Sequence, residues 1–464
     1  MTDEVTEWPS HPDRPPRAGV SSFGISGTNS HVVIEGNGAT EDGSTPAGDP
    51  ASPAGSPQAV VIALNGRAAA LPAPVGEYSP RTTRILPLSA KSPTALQRLA
   101  RRYLAWLDAC LPNGSTGDGA SASLLADLAW TAGIGRSHFV HRAGVVFRDS
   151  ESLRERLSVV ATKSDPAGLR APRPTSSTPP RLAFVYTGEG SEYEGMGRNL
   201  YDREPVVRAI LDRCDAVLRE ERDGASLLDV MFGRAGAGGT LRAPEWEQPA
   251  IYALAAAVTT LWASVGIRPT VVTGQGTGEL AAAWAADLFT LEDGLRLAAA
   301  RGADLARPKT RVAAAMQRSD PSEDTLSDLE AALKEVEFSP PSLSLLSQVT
   351  GQPLDPSRAP DPDYWLEHAR ASQPLDQLAN RLEALDVDIV LEIGAQSAGS
   401  PVPLSAWPEP AEKPHSAFDE SVARAYEAGV EVSFAGLFAG ETRRRISLPA
   451  YPFERRRHWI EVDR

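Results

Sequence analysis

The 464-residue chain is poor in cysteine and in positive charge, and both scarcities exclude classes of protein. Only two cysteines are present, Cys110 and Cys214, which are too few for a disulfide scaffold or a cysteine metal cluster. The 46 Lys and Arg residues are outnumbered by 60 Asp and Glu, and the formal net charge is −14. This balance argues against nucleic acid or an anionic membrane as the main partner. We expect no metal and no cofactor.

The chain also lacks a hydrophobic targeting segment. Residues 1–17 are polar and rich in proline, without the apolar core of a signal peptide. The longest charge-free stretch, residues 248–267, is about as long as a membrane span, but it consists largely of alanine and contains hydroxyl residues. We interpret it as a buried helix of a large α/β domain, and we expect a soluble cytosolic protein.

Glycine and proline, with 38 and 39 residues, are abundant and mark linkers. Residues 37–82 are dominated by Gly, Ala, Pro, Ser and Thr, and they cannot bury enough apolar surface to offset the entropy of ordering. The apolar island at 60–64 is a candidate extra strand within this linker. A second joint rich in Pro, Ser and Thr covers 172–180.

Between and after these linkers, hydrophobic periodicity predicts two ordered regions. Ser92 and Pro93 are typical of a helix start and open a helical apolar pattern that ends at Cys110. With further short elements, this predicts an α+β unit over about 83–170. From Arg181 onward, apolar strands alternate with helices. Such alternation is typical of a mostly parallel sheet that is covered on both faces.

Residues 270–286 combine a strand, a glycine-rich turn and a helix. The turn reads Gly274-Gln275-Gly276-Thr277-Gly278, which has the spacing of a Gly-x-Ser-x-Gly nucleophile elbow. Its central residue is glycine, and without an Oγ no acyl-enzyme ester can form there. Thr277 has two candidate roles, as a replacement nucleophile or as the donor of a backbone N–H to an oxyanion.

Four short motifs follow one another along the chain. They are Gly27-Thr28-Asn29-Ser30-His31, the runs at 135–142 and 188–192, and the run at 451–459. The first resembles the C-terminal signature of polyketide ketosynthases, and the second resembles the linker between ketosynthase and acyltransferase. The third looks like an altered opening motif of malonyl-type acyltransferases, and the fourth is similar to the strap that follows them. In this order they resemble a fragment of a modular type I polyketide synthase.

The resemblance implies an α/β fold class, with an acyltransferase-like core of the α/β-hydrolase type, a parallel sheet and a smaller α+β linker domain. Residues 304–348 are too few to hold the small ferredoxin-like subdomain of such acyltransferases, so we expect it to be missing. The implied domains are a ketosynthase C-terminal remnant at 1–36, a flexible linker at 37–82, the ketosynthase–acyltransferase linker domain at 83–172, a degenerate acyltransferase-like domain at 181–400, and a helix and strap at 401–464.

By the same resemblance, several positions of the acyl pocket are altered. Gly276 stands at the nucleophilic serine, and Gln275 stands where histidine is common. No histidine occurs from 142 through 367, the region that would supply the base. Glu189 replaces a glutamine of the oxyanion loop. We therefore assign no catalytic residue.

Two residues that match functional positions of the resembled enzymes are still present, one in the acyltransferase-like part and one in the ketosynthase remnant. Arg301 occupies the position that binds a substrate carboxylate, and its alternative role is an ion pair, for example with Glu189 or Asp304. His31 matches a ketosynthase histidine that acts together with a cysteine and a second histidine far upstream. His31 alone cannot perform that chemistry, so it is either vestigial or part of a loop that completes a partner's site.

Three functions follow from these residues. The first is a catalytically inactive acyltransferase-like protein that acts as a scaffold or docking partner for a ketosynthase, an acyl carrier protein or an acyltransferase. The second is an enzyme with new chemistry in the remodelled cleft. The third is an atypical acyltransferase that moves acyl groups from CoA to an acyl carrier protein. We favour the first, because nucleophile and base are both missing while the flanking segments are present.

The C-terminal segment 448–459 is too rich in proline and arginine for a core element. Its apolar residues are spaced along an extended chain, as in the strap of the resembled synthases. We expect it to lie against the 83–170 unit and to bury Tyr451 and Phe453. The Arg455-Arg456-Arg457 run should then stay solvated or meet an acidic partner.

Overall fold

The computed structural model describes most of the chain from residue 81 onward, together with four strands nearer the start, of which it describes the backbone alone. The described residues are 17–23, 29–35, 60–64, 67–71, 81, 83–111, 119–162, 179–190, 192–234, 236, 238–307, 326–370, 378–394 and 417–454. Residues 1–58 and 59–464 form two compact units. The first unit contains β1 (Arg17–Phe23) and β2 (Asn29–Glu35), which pair antiparallel with Ser21 opposite His31.

The second unit begins with two antiparallel strand pairs. β3 (Val60–Leu64) pairs with β4 (Arg67–Leu71), so the strand predicted at 60–64 is confirmed. β5 (Arg84–Ala90) pairs with β6 (His141–Phe147). Three helices pack beside β5 and β6: α1 (Pro93–Cys110), α2 (Gly119–Ile134) and α3 (Ser150–Thr162). The predicted α+β organisation of this region is confirmed.

Local sequence explains where α1 begins and which face it buries. The Ser92 hydroxyl accepts a hydrogen bond from the backbone N–H of Ala95 at 3.1 Å, and Pro93 is the first helical residue. The apolar residues that recur at helical spacing, among them Leu96, Leu99 and Tyr103, are buried. The helix predicted from the Ser-Pro start is therefore confirmed.

The larger core is built on a parallel sheet in the order β10-β7-β8-β9. These strands are β7 (Leu182–Tyr186), β8 (Val271–Gly274), β9 (Ser344–Leu345) and β10 (Ile389–Ile393). Their residues are mostly buried, as expected for a parallel sheet with both faces covered. The helices of this region are α4 (Arg198–Arg203), α5 (Pro205–Glu221), α6 (Leu227–Met231), α7 (Pro244–Ser264), α8 (Thr277–Ala285), α9 (Leu291–Ala306), α10 (Ser327–Glu335), α11 (Pro362–Arg370) and α12 (Leu378–Ala384).

Helix α7 contains most of the charge-free stretch and lies in the middle of the core. Its residues 248–263 are all buried, so the predicted buried helix is confirmed. In the part of the chain that the structure describes, no helix is both long and apolar enough to cross a bilayer. Between α9 and β9, the described residues form the single helix α10, and residues 308–325 lie outside the described part.

The C-terminal helix α13 (Ala417–Glu427) packs on the linker strand β6. A Cβ on Gly144 of β6 would lie 2.6 Å from the Cβ of Ala423, so only glycine permits this close approach. The Glu427 carboxylate also accepts a hydrogen bond from the Gly144 N–H at 2.9 Å. The segment that follows the acyltransferase-like core along the chain therefore packs against the linker region. The five predicted domain boundaries stay a prediction.

Residues 444–454 form an extended strap across the linker region. The backbone N–H of Arg444 donates to Asp127 at 3.1 Å, and the N–H of Ile446 donates to the Thr131 hydroxyl at 3.2 Å. This path was expected and is confirmed for the described residues. The expected burial of Phe453 is wrong: it is 80% exposed, because Tyr451 occupies the contact with the linker region and Phe453 packs only against the Tyr451 ring. Residues 455–457 lie outside the described part.

Candidate functional site

The predicted nucleophile elbow has the expected strand-turn-helix geometry. Strand β8 ends at Gly274, helix α8 begins at Thr277, and Gly276 lies between them at φ 53° and ψ −125°. That left-handed conformation is strained for most residues and suits glycine. A Cβ on Gly278 would lie 2.5 Å from the carbonyl oxygen of Tyr186, so the turn presses directly against strand β7. The backbone of an elbow is therefore present without a nucleophilic side chain.

The Glu189 carboxylate occupies the space where a side chain at position 276 would project. A Cβ built on Gly276 would lie only 2.8 Å from Glu189 Oε1, with Oε2 closer still. The same carboxylate forms an ion pair with Arg301, at 3.3 Å from Oε1 to Nη2. Of the two roles left open for Arg301, the structure places it in the ion pair. A carboxylate thus covers the turn at the point where an acyl group would attach.

Arg301 and Thr277 share one partner, the buried side chain of Gln248. Arg301 Nε donates to Gln248 Oε1 at 3.2 Å, and the Thr277 hydroxyl donates to the same oxygen. Thr277 is fully buried and its proton is directed to an amide oxygen, which is no base. This geometry gives no support to Thr277 as a replacement nucleophile. Gln275, the neighbouring altered position, has an exposed side chain.

Behind the elbow, the fully buried carboxyl of Glu279 joins three elements. It accepts hydrogen bonds from the Tyr364 hydroxyl and from the backbone N–H of Gln348, the latter at 3.0 Å. Gln348 in turn accepts the N–H of Gly276 at 3.1 Å. His368 Nε2 lies 3.4 Å from Glu279 Oε2. This network fixes the shape of the turn from behind.

Burial sets the protonation of this network. Burial raises the pKa of the Glu279 carboxyl to about 7, and burial together with the nearby Arg301 charge lowers the pKa of His368 to about 3. The imidazole is therefore neutral at pH 7, and its buried Nε2 has no hydrogen-bond partner among the described residues. A neutral, buried histidine held against Glu279 does not reach position 276. We interpret His368 as a structural residue.

Glu279→Gln is expected to flatten the pH dependence of stability. The folded chain holds the Glu279 proton up to about pH 7, whereas the ordinary pKa is 4.5. The stabilisation is therefore complete below about pH 4.5 and is lost as the pH rises through 7. From pH 5 to pH 9, urea unfolding should show the wild type losing about 3 kcal/mol more than the variant. The control is Glu330→Gln, at an exposed glutamate that pairs with Lys334 on the surface of α10. An unchanged pH profile in Glu279→Gln would contradict the assignment.

The mouth of the site is acidic. Burial raises the pKa of Glu247 to about 7, and the neighbouring carboxylates Glu192 and Glu189 add to this shift. Glu192 itself accepts the backbone N–H of Gly190 at 2.8 Å. A negative field at this entrance opposes an incoming anion. Within the described part of the chain, no cluster of three or more His, Cys, Asp or Glu side chains has the arrangement to hold a metal.

Sequence reasoning missed the residues that organise the site from behind. Gln248, Gln348 and Tyr364 lie far apart in the chain, and no spacing along the sequence brings them together. His31, by contrast, was singled out, and the structure places its backbone in β2 without describing its side chain. A second run with elbow-like spacing, Ala-Gln-Ser-Ala-Gly at 395–399, lies outside the described residues.

Two protein families match separate parts of the chain. Residues 183–340 match the family described as acyl transferase domain, and residues 84–157 match the family described as CurL-like, PKS C-terminal. Among solved structures, the acyltransferase domain of ZmaA matches with a TM-score of 0.65 at 22% identity, covering 80% of this chain and all of that one. The acyltransferase domain of module 8 of the salinomycin synthase matches with a TM-score of 0.61 at 21% identity, covering 77% and 98%. This likeness confirms the acyltransferase-like α/β core.

Curated relatives are polyketide synthases. Polyketide synthase GfsB of Streptomyces halstedii is 31% identical across 100% of this chain and 9% of its own length. Erythronolide synthase EryA3 of Saccharopolyspora erythraea is 33% identical across 65% of this chain and 8% of its own length. The chain thus spans about a tenth of the length of these relatives. It corresponds to a segment of the modular polyketide synthases, in which a linker region precedes an acyltransferase-like domain.

Proposed function

We propose that the chain is a catalytically inactive acyltransferase-like protein of polyketide biosynthesis that serves as a scaffold or docking partner for synthase components. One observation carries the proposal: Gly276 stands at the centre of the elbow, and the Glu189 carboxylate fills the space of the missing side chain. Without a hydroxyl or thiol at this point, the covalent intermediate of acyl transfer has no attachment atom.

The surroundings of the elbow support the same conclusion. In the described part of the chain, His368 lies beside Glu279, on the far side of it from the elbow turn, and is neutral at pH 7. The guanidinium of Arg301 is paired with Glu189 through Nη2, while its buried Nη1 has no hydrogen-bond partner. Among the described residues, the elbow therefore has no nucleophile and no histidine placed as its base, and its arginine is already paired with a protein carboxylate.

A docking role is supported by the flanking segments, which are built into the same body as the core. Helix α13 packs on β6, and the strap follows the linker region through backbone hydrogen bonds to Asp127 and Thr131. These segments offer ordered surface although the acyl pocket has lost its chemistry. The proposed partners are a ketosynthase, an acyl carrier protein or an acyltransferase.

Incubation with malonyl-CoA or methylmalonyl-CoA is expected to leave the chain unacylated. Intact-mass measurement checks this directly, because an acyl ester adds a defined mass to the protein. An active acyltransferase domain treated in parallel shows that the assay detects the ester. A stable adduct on this chain would overturn the inactive assignment.

Gly276→Ser sharpens the same experiment. The new side chain must displace the Glu189 carboxylate, and its hydroxyl has no histidine to accept the proton, so we expect no transfer to a carrier protein. The paired variant Gly119→Ser, at a glycine of α2 whose side-chain space is open and whose φ is not positive, controls for the added hydroxyl. Measurable transfer by Gly276→Ser would reveal a base that the proposal denies.

The docking role is tested separately by affinity capture of the tagged chain from the producing cell, with mass spectrometry of what is recovered. Enrichment of ketosynthase, carrier-protein or acyltransferase subunits over a capture with an unrelated tagged protein supports the proposal. Recovery of the chain without any synthase subunit would favour an independent protein.

A further inference from the structure

A cleft in the described part of the chain shares no lining residue with the elbow. It is a cleft of about 270 Å³ between the linker region and the strap, here called the strap cleft. Its bottom is formed by the buried residues Leu99, Tyr103 and Ala132, and its sides include the rings of Phe139 and Tyr451. The lining is mostly apolar, which is typical of a site that encloses a small organic ligand.

Positive charge without an acidic partner lies at this cleft. Lys91 and Arg136 both line it, and no carboxylate is among the lining residues. Lys91 Nζ lies over the Phe139 ring at 5.5 Å, and Arg136 makes only long contacts, 3.4 Å, to backbone carbonyl oxygens of the strap. Among the described residues, neither cation has an ion-pair partner. On a chain with a net charge of −14, this is a local site for an anion.

A tyrosine hydroxyl completes the site. Tyr103 is 2% exposed and lines the cleft, and no described residue forms a hydrogen bond with its hydroxyl. Burial raises the pKa of Tyr103 to about 12, so the phenol keeps its proton and acts as a donor. The hydroxyl oxygen is not one of the buried polar atoms that lack a partner, so it is open to the cleft, where a ligand oxygen can accept its hydrogen bond.

We propose that the strap cleft binds a small carboxylic acid with an aliphatic body. The carboxylate would pair with Arg136 and Lys91 and accept a hydrogen bond from the Tyr103 hydroxyl, while the aliphatic body packs on Leu99 and Phe139. An engineered cavity of roughly 150 Å³ holds benzene, so a cleft of about 270 Å³ has room for an acid about the size of octanoate. The site is independent of the elbow and of its proposed inactivity.

Calorimetric titration of the full chain with octanoate tests the proposal. We expect saturable binding at one site with a Kd on the order of 0.1–1 mM. Octan-1-ol has the same aliphatic body without the charge and should bind at least roughly tenfold more weakly, because the charge-assisted contacts are lost. Absence of saturable octanoate binding, or equal binding of the alcohol, would overturn the proposal.

Three variants locate the site. Arg136→Met should weaken octanoate binding roughly tenfold, and Tyr103→Phe should weaken it roughly threefold to tenfold. Arg358→Met, at a side chain that is 76% exposed and does not line the cleft, should bind like the wild type. Because the Tyr103 hydroxyl has no described protein partner, Tyr103→Phe should keep the wild-type melting temperature, which separates ligand recognition from folding. Unchanged affinity in both cleft variants would place octanoate elsewhere and refute the site.

Discussion

Arg81→Met is expected to lower the free energy of unfolding by about 3–5 kcal/mol at pH 7. The Arg81 guanidinium pairs with Glu204 at 2.6 Å and with Asp419 at 2.8 Å, and both carboxylates are buried. Methionine fills a similar volume but leaves two buried carboxylates without a cation. Breaking a buried ion pair from one side is far costlier than losing a surface pair, because the remaining charges stay desolvated.

Urea unfolding measures this loss, and Arg358→Met is the matched control. The Arg358 side chain is 76% exposed and lies 3.7 Å from Asp361, so its replacement should change stability by less than about 0.5 kcal/mol. Burial raises the pKa of Glu204 and of Asp419, and stability from such groups is lost as the pH rises. The Arg81→Met defect should therefore be smaller at pH 5 than at pH 8. A loss below about 1 kcal/mol would show that the network contributes little.

The Arg81 network matters for the proposed docking role because it ties three parts of the chain together. Arg81 lies just before β5 of the linker region, Glu204 precedes α5 of the core, and Asp419 belongs to the C-terminal helix α13. A scaffold that has lost its catalysis still needs a fixed geometry between its surfaces. Buried charges joining these parts resist sliding better than apolar contacts alone, because any shift exposes an unpaired charge.

Elements with a strong local pattern could be predicted from the sequence. The Ser92-Pro93 start gave the correct first helix, and the apolar run 182–186 gave strand β7, because capping and β-branched runs act over a few residues. Helix α2 extends over Gly119–Ile134, but its apolar pattern begins only at Leu124. Its first turn is built of glycine, alanine and serine, which carry no periodic apolar signal.

The candidate site divides in the same way. The elbow at Gly276 was predictable because its glycine spacing is local. The contact between Glu189 and the elbow depends on parallel pairing of β7 with β8, and that between Arg301 and Gln248 depends on the packing of α9 against α7. Neither pairing can be read from spacing along the chain. The sequence left two roles for Arg301, because a guanidinium can pair equally well with a ligand carboxylate and with a protein carboxylate.

Phe453 marks a limit of pattern reasoning. An apolar residue in an extended strap suggested burial, but the surface of a folded protein always includes many apolar atoms, so one apolar residue carries little information. Alternation along an extended chain does not distinguish Tyr451 from Phe453, because residues two positions apart point to the same side, and only the contacts of each ring decide the outcome. Tyr451 contacts Phe139 at 5.5 Å between ring centroids, and its hydroxyl accepts the backbone N–H of Lys91 at 2.9 Å. Phe453, two residues further on, makes no comparable contact with the linker region among the described residues.

The difference between these two aromatic residues gives the sharpest test of the strap. Tyr451→Ala is expected to lower the free energy of unfolding by about 2–3 kcal/mol, because it removes a ring contact and a hydrogen bond to the linker region. Phe453→Ala, at a side chain that is 80% exposed, should change it by less than about 0.5 kcal/mol. Thermal and urea unfolding of the pair measure the contrast. Equal effects in both variants would mean that the described strap packing is wrong.

Deleting residues 448–464 extends this test to function. The truncation removes the Tyr451 contacts and the hydrogen bonds from Arg102 to the backbone of residues 450 and 451, so it should lower the melting temperature at least as much as Tyr451→Ala does. Deleting only 455–464 keeps every described strap contact and should leave stability near that of the wild type. If the strap also presents the proposed docking surface, the longer truncation should reduce recovery of a ketosynthase in affinity capture. A long truncation with unchanged stability and unchanged capture would reduce the strap to a segment without a structural or docking role.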